Sequence, residues 1–351
     1  MRSTLAFVAA LAVTAHTAAA QSAPRFGAFV DGYYAYDFND PAGRIRAFTT
    51  QPVRHNTFAL NLVVLRGDAS ADRVRGSFAY GIGDYVESNY AAEPEYLRGV
   101  IEANAGVRIA ANTWIDAGVL PSHIMSESPY SSANLTLGRS LMAEYTPYYE
   151  TGVRVTHTAG GLTLAGLVLN GWQNIAETND DKSVGTQVSY RFSPAVLVNW
   201  STYVGNESTL EDSTAYRYYS DVYATWAVSP TVDVVAAFDA GFQEQPAADR
   251  TAGWTTASLI GRVRLSPVVA VNGRVEYFND PSESVVGTGQ GVGFEVAGAS
   301  LGLDVQPAPN ALARVEVRGL TSFGSDRIFP RNDGGLSDTD VYVHTSLALT
   351  F

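Results

Sequence analysis

The sequence predicts an all-β chain: a single closed antiparallel transmembrane β-barrel of about sixteen strands, with short turns at one end and long loops at the other. Three observations predict it. Amphipathic runs of roughly ten residues, alternating with a period of two, recur along the chain, and a tilted strand of that length crosses a bilayer. The connections between the runs alternate strictly, long then short, from the first to the last. Finally, the composition combines 46% hydrophobic residues with 19 Tyr, 15 Phe and 32 Gly, yet no stretch after the N-terminus is long and apolar enough for a spanning helix.

The chain opens on Met1-Arg2 and an apolar run from Leu5 to Ala20 that closes on Ala18-Ala19-Ala20 before Gln21. A short positive end, an alanine-rich apolar stretch and small residues at its close predict an export signal over residues 1–20, leaving 21–351 to form the barrel. With no cysteine there is no disulfide and no thiolate metal site, and a net charge of -12 argues against nucleic acid as a partner.

The expected strands are Phe26–Phe38, Phe58–Arg66, Arg73–Ile82, Leu97–Ile109, Thr113–Leu120, Tyr148–His157, Leu162–Gly171 and Val184–Phe192 in the first half. The second half supplies Val196–Gly205, Tyr216–Val228, Val232–Phe242, Trp254–Leu265, Val268–Phe278, Val292–Val305, Leu312–Leu320 and Val341–Phe351. The last is the clearest: its odd positions are apolar apart from Thr345, and its even positions are Tyr, His, Ser, Ala and Thr. Short connections such as Ser193-Pro194-Ala195 and Ser266-Pro267 carry turn residues that cannot extend a ladder. Long ones such as Asn39–Thr57, Pro121–Pro147 and Thr321–Asp340 are polar and rich in Gly, Asn and Asp. Short turns on the periplasmic side and long loops outside is the outer-membrane arrangement, which puts both termini in the periplasm.

Parity assigns the inner face. Arg98, Glu102, Asn104 and Arg108 oppose Leu97, Ile101, Val107 and Ile109; Arg217 and Asp221 oppose Val222 and Trp226; Asp233 and Asp239 oppose Val234 and Phe238. Arg274 and Glu276 oppose Val271 and Val275, and Arg314, Glu316 and Arg318 oppose Val315 and Val317. Arg154 and Glu295 join the same wall. A charge facing lipid at mid-membrane costs roughly 2–4 kcal/mol, so these rows face water. Acids and arginines on the wall balance, which leaves the excess negative charge in the long loops and predicts weak cation selectivity at low salt. Two strands resist: Leu162–Gly171 shows no clear parity, and Val292–Val305 changes phase near Ala297–Ser300, as a bulge would cause.

Pro121–Pro147 is the longest connection and carries Ile124, Met125, Leu135, Leu137, Leu141 and Met142, which a solvated loop has no use for. The expectation is that it folds into the lumen as a constriction, with His123, Glu127, Tyr130, Asn134, Arg139 and Glu144 as its polar residues; a loop capping the barrel mouth is the other reading. Asn134 through Arg139-Ser140-Leu141-Met142, Thr151-Gly152-Val153-Arg154, Asn170-Gly171-Trp172, Asn179 with Lys182, and Tyr203-Val204-Gly205-Asn206-Glu207 resemble the OmpL-like family of outer-membrane β-barrel porins. The resemblance runs from about Gly32 to Phe351 and implies a Gram-negative outer-membrane porin passing small hydrophilic solutes, with no catalytic residues to carry over.

A passive channel is thus the leading reading, since sixteen strands enclose an aqueous lumen. A structural or adhesion barrel with an occluded lumen is the alternative. An outer-membrane enzyme fits poorly: His55 and His123 sit in loops, His157 on the lipid face and His344 alone on the wall, none beside a nucleophile. No cofactor or metal site is expected; Asp180-Asp181 and Asp338 with Asp340 read as solvated acids. Expected partners are the bilayer and lipopolysaccharide, small solutes, the barrel-assembly machinery through the strand ending in Phe351, and two further copies in a homotrimer.

Overall fold

The computed structural model describes residues 23–351 apart from 125, 210–212, 247–248 and 325. The expected signal over Met1–Ala20 and its cleavage point lie outside the described residues. Eighteen strands follow: β1 (Arg25–Asp37), β2 (Thr57–Ser70), β3 (Val74–Ile82), β4 (Val100–Ala110), β5 (Thr113–Pro121), β6 (Tyr149–Ala159), β7 (Leu162–Leu169), β8 (Ser183–Ser193) and β9 (Val196–Asn206). The rest are β10 (Tyr216–Ser229), β11 (Val232–Gln245), β12 (Arg250–Arg264), β13 (Val269–Asp280), β14 (Phe294–Ala308), β15 (Ala311–Ser322), β16 (Phe329–Pro330), β17 (Leu336–Ser337) and β18 (Thr339–Thr350). β16 and β17 form a two-residue ribbon inside the last long loop. The other sixteen close into one barrel in which each strand pairs antiparallel with its sequence neighbours and β18 pairs with β1. No described helix is long and apolar enough to cross a membrane.

Closure removes the edges that an open sheet exposes. Along β18, Tyr342, His344, Ser346 and Ala348 are buried inside, while Val341 and Leu347 are exposed outside. Exposed aromatics gather in two bands, Phe58, Tyr80, Tyr216, Tyr218 and Phe242 towards the long loops and Phe26, Tyr190, Phe192, Trp226 and Phe351 towards the turns. Such girdles mark the two membrane interfaces. Inside, rings lie flat against the wall where the register allows it: Trp254 faces Gly241, and a Cβ there would sit 2.1 Å from the indole.

Four readings change. Arg98 precedes β4; its guanidinium caps the Glu93 and Ala91 carbonyls of the second long loop instead of lining the wall. Ile101 sits at a register shift between Ala79–Glu102 and Tyr80–Val100, which turns it inward to pack with Leu62 and Val64. β14 keeps one phase from Phe294 to Val305, so Glu295 points outward, where the Tyr277 hydroxyl donates to it at 2.7 Å. It lies at the extracellular rim, where an outward charge costs only about 0–1 kcal/mol. β7 does alternate, but its inner residues Ala165, Leu167 and Leu169 are apolar like its outer ones. Both faces being greasy hid the period.

Candidate functional site: a loop folded into the lumen

The connection between β5 and β6 lies inside the barrel. It enters through His123, whose Nδ1 lies 2.9 Å from both Glu150 oxygens and whose Nε2 lies 2.9 Å from the Thr202 carbonyl. Carboxylate and carbonyl both accept, so both ring nitrogens carry protons. Burial alone would lower the imidazole pKa; the Glu150 carboxylate more than offsets that and holds it above its ordinary value. Ile124 then packs on Leu167 and Leu169, which explains the apolar inner face of β7.

Further along, the wall grips the loop's main chain. Arg314 forks onto Asp304 at 2.8 and 3.0 Å and also donates to the carbonyls of Ser131, Leu135 and Thr136 at 2.7–3.0 Å and of Asn134 at 3.3 Å. Arg274 donates to Gly138 O at 2.6 Å, and Arg318 to Arg139 O at 3.0 Å. Glu316 accepts the Leu137 and Gly138 amides at 2.8 and 2.9 Å, and Glu276 accepts Leu141 N at 2.7 Å. Four of these side chains also bond to one another, Arg274 to both glutamates and Arg318 to Glu276. The backbone of a loop has no ladder of its own, so charged side chains supply its partners.

Among the residues expected to form the constriction, Glu127 accepts the Ser140 amide and hydroxyl, Asn134 closes a turn onto Ser128 N and O, and Tyr130 meets Phe29 edge-on. Burial pushes the Glu127 carboxyl above its usual range. Arg139 is a correction: it is fully buried, bonded to Glu144 at 3.0 Å and 4.1 Å from the Tyr148 ring centroid. It fixes the loop from within and faces no passing solute. Glu144 in turn accepts Thr50 N at 2.9 Å.

That last contact exposes what the sequence reading missed. The first long loop also enters the barrel: Arg46 is buried between Asp37 and Asp340 against the Tyr342 ring, and Phe48 packs on Phe294 and Phe329. Asp340 is therefore an interior partner and no solvated loop acid. Phe48, Val286, Ile328 and Phe329 are apolar residues in polar loops, the same signal that singled out Ile124 and Leu141, and they pack in one cluster with Phe278 and Phe294 of the wall.

The remaining wall residues divide. Arg217 lies between the Trp172 and Trp254 rings and bonds Gln243 at 2.8 Å; Asp221 faces Asp239 in register, and Tyr219 donates to Asp239. Glu102 accepts Asn104 at 2.9 Å, and Arg108 reaches Asp72 in a turn. Asp233 takes both Arg262 at 3.0 Å and Arg264 at 2.5 Å. Beneath the loop two cavities of about 330 and 400 Å³ open towards the periplasmic end.

A closed sixteen-strand barrel with a loop held inside it matches a known family over nearly its full length. The chain belongs to the family described as "Putative beta-barrel porin-2, OmpL-like", whose model matches residues 24–351. It is therefore an outer-membrane porin of a Gram-negative bacterium. Solved structures with the same fold include OmpF of Salmonella typhi in complex with daunomycin, at TM-score 0.66 and 13% identity over 93% of this chain and 97% of that one. An anion-selective porin from Comamonas acidovorans aligns at TM-score 0.64 and 9% identity over 95% and 100%. The trimer form of OmpT, an outer membrane protein of Vibrio cholerae, aligns at 0.61 and 10% over 95% and 100%. No curated protein matches the chain significantly.

Proposed function

We propose that this porin is a passive, non-enzymatic channel for small hydrophilic solutes whose narrowest passage runs beside the loop between β5 and β6. The observation that carries the reading is the grip of Arg314 on four loop carbonyls between Ser131 and Thr136, which holds the loop across the lumen. Membership of a porin family and the porin fold support the non-enzymatic reading. The bilayer and lipopolysaccharide would contact the aromatic bands. The assembly machinery would read β18 and the Phe351 that follows it, which still pairs with Ala28 and is exposed. A homotrimer fits the trimeric form of the OmpT relative.

Deleting Ser126–Thr136 should raise single-channel current in planar bilayers and weaken size exclusion. Unchanged current in a folded deletion variant would put the loop outside the path. A second reading, a barrel with an occluded bore, draws on the apolar packing of Phe48, Ile328 and Phe329 with Phe278 and Phe294 of the wall. Failure of the intact protein to conduct at all would favour it.

A further inference from the structure

We infer that the periplasmic chamber beneath the inserted loop is an anion-accepting site, and that it gives the channel its ion preference. The inference rests on the channel reading and adds the class of solute. The two cavities share Arg262; the upper is lined also by Arg191, Asp233 and Glu127, the lower by Arg264 and Asp304. Formally the charges cancel, but the acids are already committed. Both oxygens of Asp304 are taken by Arg314. Glu127 accepts Ser140 and lies 4.0 Å from Arg274. Asp233 is one carboxylate shared between Arg262 and Arg264.

Arg191 is exposed, and its side chain makes no hydrogen bond or ion pair among the described residues. The chamber therefore carries two arginines on one acid, plus a free arginine. A guanidinium with donors to spare binds carboxylate, phosphate or sulfate by the fork geometry it uses on Asp304. Arg191 on β8 and Arg262 on β12 are four strand spacings of about 4.8 Å apart, so they act as successive contacts and not as one chelate.

The loop acids that predict cation selectivity lie at the other end of the barrel. At 1 M salt the Debye length is about 3 Å, which silences the exposed rim but acts less on partly enclosed groups. The test is the reversal potential of the full-length porin in planar bilayers under a potassium chloride gradient at high salt. The expected result is anion preference, reduced by Arg191→Gln or Arg262→Gln and lost in the double variant. Inorganic phosphate added from the periplasmic side should lower the chloride current more than the same addition from outside. A neutral or cation-selective wild type at 1 M salt overturns the inference, as does a double variant that keeps the preference. Because Arg191 holds no structural contact, its substitution leaves folding intact, and the phosphate measurement needs no variant. Absence of all conductance would refute the channel reading and this inference together; conductance without anion preference would refute this one alone.

Discussion

The wall formed by β13, β15 and β18 and the wall formed by β8 to β12 read alike in sequence, each alternating polar and apolar residues. Their charges do opposite work. On the first wall Arg274, Glu276, Arg314, Glu316 and Arg318 are nearly fully buried and hold the loop. Towards the periplasmic end of the second, Arg191, Arg262 and Arg264 meet cavities. Alternation decides which way a side chain points; whether something lies on top of it decides whether it is cement or a solute contact.

The largest test of that contrast is Arg314→Ala against Arg191→Ala. Removing Arg314 leaves Asp304 buried and unpaired and strips four loop carbonyls, a loss of about 3–5 kcal/mol for a buried pair. Removing Arg191 should stay within about 0.5 kcal/mol. Urea unfolding in detergent measures both, and limited proteolysis should cut the released loop only in the first. Equal effects would erase the distinction between the walls.

A neutral counterpart is Ile124→Ala. Its side chain is fully buried against Leu167, Leu169 and Leu141, so truncation should cost roughly 2–4 kcal/mol and loosen the loop's entry. If the loop sat over the mouth instead of inside, the cost would be near zero.

These two sites also show what the sequence made legible. The sixteen strands, the long–short alternation and the inward loop followed from local pattern, because a period of two and a greasy residue in a polar loop are both visible in a short window. The apolar inner face of β7, the second inserted loop around Phe48 and the commitment of Arg139 to Glu144 depend on partners far away in sequence. Ile101 was misplaced because a one-residue shift reverses the face and leaves no compositional trace.

The next effect is pH-dependent. His123 has a folded pKa above its ordinary 6.5, so the His123–Glu150 contact contributes fully below that value and is lost as pH rises through the folded one. Loop docking should therefore weaken on going alkaline, by about 1.5–3 kcal/mol at most for one charged hydrogen bond. His123→Gln should flatten the dependence of proteolytic protection on pH. An unchanged profile in that variant would assign the titration elsewhere.

The smallest expected effect lies at the rim and sharpens the contrast from outside the barrel. Asp180 and Asp338 are exposed acids of the extracellular loops. Substituting both with Asn should leave stability unchanged, since exposed charges contribute at most about 1 kcal/mol. Its signature is in the ion preference alone: the Debye length grows to about 30 Å at 0.01 M salt, so the rim field then reaches the bore and draws cations to the mouth. The double variant should shift the reversal potential towards anions at 0.01 M salt and not at 1 M, where the chamber arginines act alone. A shift of equal size at both concentrations would mean that the rim acids lie on the solute path itself, and that the extracellular mouth shares control with the chamber.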